Sequence, residues 1–404
     1  MLRVPLHKLQ PGMILARAIA APGDPRMYLV QRDREVPADL IPRLRDLGIT
    51  DVWVRFRDLE FLEGLIDEGL GEHQREVYQH VRRNFEQMLG GAAFELDYNK
   101  FTTSIGDLFQ YLKQNPCGNV LLQKLESYDN YLMSHSTNVC YLALLLGLKL
   151  EKYLIEERSF KTAREAKDIQ LLGLGCILHD VGKMRIPAEI LNKPSRLTEE
   201  EMRIMEMHTI YGYEMVKGQV PASAAQIVLN HHQRFNGKGY PVRVDPTNGQ
   251  ELPPLVAKQI PIFSRITTIV DVYDAATAKR VYSAAKPSVR VLHEMKTWCQ
   301  GFFDPRIEKA FFEIIPPFPV GSLVKLNNGI EGAVIDFNPQ HPTRPKIQGL
   351  IDPYGQPFEN PANEELDLAL HPDLHVAMAD DQDVTPYLAT QETLENQLEY
   401  AEAV

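Results

Sequence analysis

From residue 119 to residue 315 apolar side chains recur at helical spacing, and this period constrains the fold more than any other feature of the chain. NVLLQKLESYDNYLMSHSTNVCYLALLLGLKLEKYLIEE, AKDIQLLGLGCILHDVG and LTEEEMRIMEMHTIYGYEMVKG carry it, as do ASAAQIVLNHH and ITTIVDVYDAATA. Thr198, with Glu201 three residues on, marks a capping-box start for the third run. The expectation is a mainly α protein built on an all-α domain of about seven helices at 119–315.

The flanking segments follow other periods. Residues 1–56 alternate in β fashion through LRVPL and MILARAIA, break at PGDPR, resume at MYLVQ, turn helical in PADLIPRLRDLG and end on TDVWVRF. A small α+β regulatory module is expected there. The charged, helix-favouring stretch 57–118 reads as a helical connector. PPFP at 316–319 stops the helical pattern, and SLVKL, the turn-forming NNG and EGAVIDF then read as a hairpin, so 316–377 is expected to be a small β-rich extension. Residues 378–404 are acidic and weakly patterned and read as a loose tail.

The formal charge of -11 argues against a nucleic-acid polymer or an anionic membrane as partner, because either needs a basic field. Cys117, Cys140, Cys176 and Cys299 have neither CxxC nor zinc-ligand spacing, which points to reduced thiols. CYLALLLGL at 140–148 is about half a membrane span, and the N-terminus lacks a signal-peptide apolar region, so the chain reads as cytoplasmic.

Chemistry enters where ionisable groups interrupt apolar helices. His179 and Asp180 close LLGLGCIL, and a carboxylate there is costly to bury without a partner. His135 opens an apolar helix, His208 lies in an amphipathic one, His231 and His232 end another, and Asp271 sits inside ITTIVDVYDAATA. Singly, each is more simply a satisfied core residue or an exposed one. Together they place imidazole or carboxylate once on each of five helices, a donor set suited to borderline divalent ions. The chain lacks a G-x-S-x-G nucleophile, so a hydrolase here would draw its nucleophile from water, which a metal pair activates. Lys183, one turn past the HD pair, is placed to offer a point charge to phosphate, or is simply solvated.

His135, the HD of HDVGK at 179–183, His208, the HH of HHQRFNGKGYP at 231–241 and Asp271 together resemble the HD superfamily of metal phosphohydrolases. HDVGK with GYP is similar to the HD-GYP family of cyclic di-GMP phosphodiesterases. The resemblance covers about residues 120–340, and VPLHKLQPGMIL resembles a module often found ahead of this domain. It implies that His135, His179, Asp180, His208, His231, His232 and Asp271 ligate metal, with Asp180 bridging and catalytic. It also implies that Lys183 and Arg280 hold substrate phosphates and that Gly237, Gly239, Tyr240 and Pro241 line the substrate pocket. The implied reaction opens cyclic di-GMP to pGpG, with GMP a further product, through a metal-bridged hydroxide.

Four positions depart from the family pattern. Gln233 and Asn236 replace two acids, Tyr131 stands where some members carry a third-metal glutamate, and Val281 replaces a proline. Two divalent ions per chain are therefore expected, with iron or manganese favoured and nickel or zinc also suited. The altered loop keeps open a catalytically weak module that contacts other signalling proteins through GYP, and a different cyclic dinucleotide or nucleotide as substrate. Oligomeric state is open, a homodimer being one option.

Overall fold

The computed structural model describes residues 2–21, 24–47, 49, 51–56, 59, 68–89, 96–115, 131–245, 247–278 and 286–388. Two hydrophobic cores organise them. The first is helical. Its framework is α2 (Glu68–Leu89) and α3 (Tyr98–Gln114), preceded in the chain by the short α1 (Leu40–Asp46), then α4 (Tyr131–Lys149), α5 (Glu151–Glu157), α6 (Ala163–Ala166) and α7 (Gln170–Leu178). After these come α8 (Ala188–Leu191), α9 (Glu199–Glu206), α10 (His208–Val216), α11 (Ala222–Asn230), α12 (Ile262–Thr277), α13 (Ser288–Trp298) and α14 (Pro305–Ile314).

Eleven helices thus lie between 131 and 314 among the described residues, where about seven were expected. The extra ones come from breaks inside periodic runs. Thr198 and Glu201 form the expected capping box of α9, but the run bends at Met207, and His208 becomes the first residue of α10 rather than a mid-helix residue. The stretch read as a connector does more than connect. Leu70, Val77 and Val81 of α2 and Phe101, Ile105 and Leu108 of α3 are buried in the same core as α4 and α7. Their charged outer faces hid an apolar inner stripe.

The second core is assembled from two distant stretches. Strands β1 (Leu2–Pro5) and β4 (Asp51–Val54) pair antiparallel, as do β2 (Ile19–Ala21) and β3 (Asp24–Val30). Far along the chain, β5 (Leu323–Leu326), β6 (Glu331–Asp336), β7 (Lys346–Ile351), β8 (Glu365–Asp367), β9 (Val376–Ala379) and β10 (Gln382–Asp383) form one sheet in the order β10-β9-β5-β6-β7-β8. Leu2, Leu15, Leu44 and Val54 share a core with Phe318, Val324, Val334 and Ile347. The Arg3 amide donates to Gly321 O at 3.3 Å, and His7 and Lys8 both reach Asp381.

The sheet runs past the expected end of the β extension. β9 spans the 377/378 boundary, and Val384 and Leu388 are buried. The acidic ADDQD is a hairpin turn, with Asp380 and Asp381 at φ 47° and 57°, a conformation that aspartate tolerates better than most residues. Residues 389–404 lie outside the described residues.

Candidate metal centre

Five helices meet where the ionisable residues sit. All of α7 from Leu172 to Leu178 is buried, so the chain leaves it with His179 and Asp180 already in the interior. Gly182 then lets the following 3-10 turn, Val181–Arg185, lie directly on α10: a Cβ at this position would fall 1.9 Å from His208 O. That close approach brings Asp180 beside His208. His135 arrives from α4, His231 and His232 from the end of α11, and Asp271 from α12.

The structure brings all seven predicted ligand residues together. Asp180 is in the middle. Its Oδ2 lies 3.4 Å from His179 Nε2 and 3.8 Å from His135 Nε2, while its Oδ1 lies 3.4 Å from His208 Nε2 and 3.9 Å from His231 Nε2. Asp271 Oδ1 is 3.0 Å from His135 Nε2 and 3.7 Å from His179 Nε2, and its Oδ2 is 3.8 Å from His232 Nδ1. Asp180, His208, His231 and His232 form one compact donor group, and His135, His179 and Asp180 another.

Backbone carbonyls set the ring orientations. His179 Nδ1 donates to Cys176 O at 2.6 Å, His208 Nδ1 to Met205 O at 2.7 Å and His231 Nδ1 to Val228 O at 3.0 Å. With Nδ1 as donor, the Nε2 of each neutral ring is a bare acceptor. Yet His208 Nε2 and His231 Nε2 face each other at 3.3 Å. Two acceptors at that separation repel unless a cation lies between or beside them. His179 Nε2 and Asp180 Oδ1, both buried, likewise find no hydrogen-bond partner among the described residues, an arrangement costing about 1–3 kcal/mol per group if nothing bound there.

A neighbouring charged cluster shows the contrast. Buried Arg265, also on α12, bonds both Glu157 and Asp304, and Asp304 accepts in turn from Tyr153 at 2.7 Å. That cluster is closed by its own partners; the histidine cluster leaves His179 Nε2 and Asp180 Oδ1 without one among the described residues. Proton affinities agree. Burial drives His208 down to about 4 and His232 to about 3, and pushes His231 well below the usual imidazole range, leaving their nitrogens free to ligate. Burial opposes charge on His179 too, but Asp180 and Asp271 overcome it and raise His179 to about 10. Protons on His179 supply there the kind of charge a metal would bring. The donor set fits divalent metal ions.

Asp274 escaped the sequence reading. Its Oδ2 accepts from His135 Nδ1 at 2.8 Å and so turns His135 Nε2 inward. The available signal was DVYD, which puts Asp271 and Asp274 three apart on one helical face. Lys183 Nζ lies 2.5 Å from Asp180 Oδ2 and is 22% exposed, reaching the cluster from the solvent side. The Tyr240 ring sits 4.5 Å from the His232 ring. Gly239 packs so closely on the ligand turn that a Cβ would fall 2.3 Å from His232 O. Arg280, Val281 and the side chain of Tyr131 lie outside the described residues.

This helical fold and its buried histidine–aspartate cluster are those of an HD domain whose donor set fits divalent metals. Residues 152–307 match the HD domain family model, and residues 323–385 match a KOW domain associated with HD domains. With HDVGK and GYP in place, these matches support an HD-GYP family member. It is 32% identical to a cyclic di-GMP phosphodiesterase of Pseudomonas aeruginosa over 58% of this chain and 51% of that protein. It is 35% identical to a cyclic di-GMP phosphodiesterase response regulator of Xanthomonas campestris, over 36% of each. A 3'3'-cGAMP-specific phosphodiesterase of Vibrio cholerae is 36% identical over 34% of this chain and 24% of that protein. The chain thus spans about half or less of the length of these curated relatives. No helix among the described residues is long and apolar enough to cross a membrane.

Proposed function

We propose that the chain is a metal-dependent phosphodiesterase that opens cyclic di-GMP to pGpG, with GMP as a further product. The observation that carries this reading is Asp180, whose two carboxylate oxygens face two separate histidine groups, as a ligand shared between two ions would. His135, His179 and Asp271 would hold one ion with Asp180, and His208, His231 and His232 the other. Two divalent ions, iron or manganese, would neutralise phosphoryl charge and activate water for attack. Lys183, at the solvent edge of Asp180, would meet a phosphate oxygen as a charged donor. Arg280 is assigned to a second phosphate contact, and Gly237, Gly239, Tyr240 and Pro241 to the pocket wall.

The test pairs elemental analysis of anaerobically purified protein with chromatography of cyclic di-GMP digests. About two metals per chain and production of pGpG are expected. Metal-loaded protein that binds cyclic di-GMP and yields no pGpG or GMP would make it a binding module instead. Arg280→Ala should keep the metals and lower kcat/KM about ten- to a hundredfold, the worth of a charge-assisted contact. The Vibrio relative favours 3'3'-cGAMP as a second candidate substrate, so both dinucleotides belong in the assay.

A further inference from the structure

Gln233 and Asn236 are both neutral amides beside the ligand pair, yet their hydrogen bonds run in opposite senses. Asn236 accepts: its Oδ1 takes the Lys238 amide hydrogen at 3.1 Å, which a carboxylate would do equally well. Gln233 donates. Its side-chain nitrogen lies 2.7 Å from Pro241 O, and a carbonyl oxygen has no hydrogen to offer, so the amide must supply it. An ionised carboxylate at 233 would set oxygen against oxygen in a place only 3% exposed to water.

This bond closes a loop that begins and ends at the ligands. The Tyr240 amide donates to His232 O at 3.2 Å, and Gly239 permits that approach. Outside, the loop is fastened to the helical body: the Phe235 amide donates to Phe302 O at 2.8 Å and the Asn236 amide to Gly301 O at 2.9 Å. The Gln233 bond to Pro241 ties the end of the loop, just beyond Tyr240, to its start.

We infer that Gln233 is a positioning residue whose carboxamide, by donating to Pro241 O, latches Tyr240 and Pro241 against His232 and so fixes one wall of the pocket for a cyclic dinucleotide. The ligand named here rests on the phosphodiesterase reading; the latch rests on the loop geometry. Gln233 acts through the loop it holds, and Asn236 supports the same loop by a bond indifferent to charge.

The experiment is hydrogen exchange of the 234–243 amides in the metal-loaded full chain, with metal content, KM and kcat for cyclic di-GMP measured on the same samples. Gln233→Glu removes the donor and adds charge; Gln233→Met removes the donor alone and decides the matter if the first variant fails to fold. Both should speed exchange of the loop amides, Gln233→Met by about three- to tenfold, the equilibrium ratio of one neutral hydrogen bond. KM should rise in the same range with kcat within about twofold and metal content at the wild-type level. Asn236→Asp should keep wild-type exchange. Wild-type exchange in Gln233→Met would overturn the latch, and so would loss of metal from that variant, since Gln233 would then act through the ligands. A wild-type chain that fails to hydrolyse cyclic di-GMP would sink the phosphodiesterase reading and leave the exchange result to decide the latch.

Discussion

The two hydrophobic cores treat charge in opposite ways. The helical core encloses five histidines and two aspartates at separations of 3–4 Å, several of them wholly buried. The second core, where residues 2–59 meet 318–388, keeps its cross-contacts at the rim, in pairs such as Lys8 with Asp381 that are each 41% exposed. Charge left at the rim adds little to stability, so the second core is held by apolar packing. Charge drawn inward, with His179 Nε2 and Asp180 Oδ1 left without hydrogen-bond partners among the described residues, marks the first core as the candidate binding site.

The sharpest way to break that contrast is Asp180→Ala. It removes the carboxylate common to both donor groups, and we expect loss of bound metal and of hydrolysis together, with the fold kept. Retained metal by elemental analysis would show that Asp180 is not the ligand the two donor groups share. Next comes Asp274→Asn, which should weaken metal binding about ten- to a hundredfold by freeing His135 to rotate, as loss of a ligand-orienting partner does. A metal titration matching wild type would show that α4 alone sets that ring.

Truncation sharpens the comparison from the other side. A chain starting at residue 60 should keep its metals while amides of β5 and β6 exchange faster, because Phe318, Val324 and Val334 lose their partners. A chain starting near residue 100 loses α2 and the first turn of α3, so the helical core opens and the metals should go with it. The smallest effect concerns α13, whose Val289 lies in the second core while Val291, Leu292 and Met295 lie in the first. Burial works against the Glu294 carboxylate, but Lys286 and Arg290 hold it below its ordinary 4.5. Its contribution is present above that value and lost as pH falls through the lower folded one. Glu294→Gln should therefore lower Tm by about 2–4 °C near neutrality, with the two curves converging in acid. Curves that stay parallel would remove the carboxylate from the account.

The site was legible because buried charge is conspicuous in a linear sequence: His179 and Asp180 directly follow apolar residues, and Asp271 interrupts an apolar run. Partners were not legible. Asp274 reads as a second acid on a helix until its distance to His135 is known, and Gln233 reads as a neutral stand-in until its bond shows a donor at work. Local periods likewise gave the small modules their strands and helices. They said nothing of residues 2–59 packing on 318–388, because no local pattern encodes which apolar face meets which across such a separation.

That last pairing sets an order of events during synthesis. Leu2, Leu15, Leu44 and Val54 leave the ribosome roughly 260 residues before Phe318 and the strands after it, a wait of about 13–50 s at ordinary elongation rates. Over that interval an apolar surface has no native partner, while the helices between can already close on one another. The nascent chain therefore passes through a stage in which most of its helical core has emerged while its first-made strands still lack their native partners.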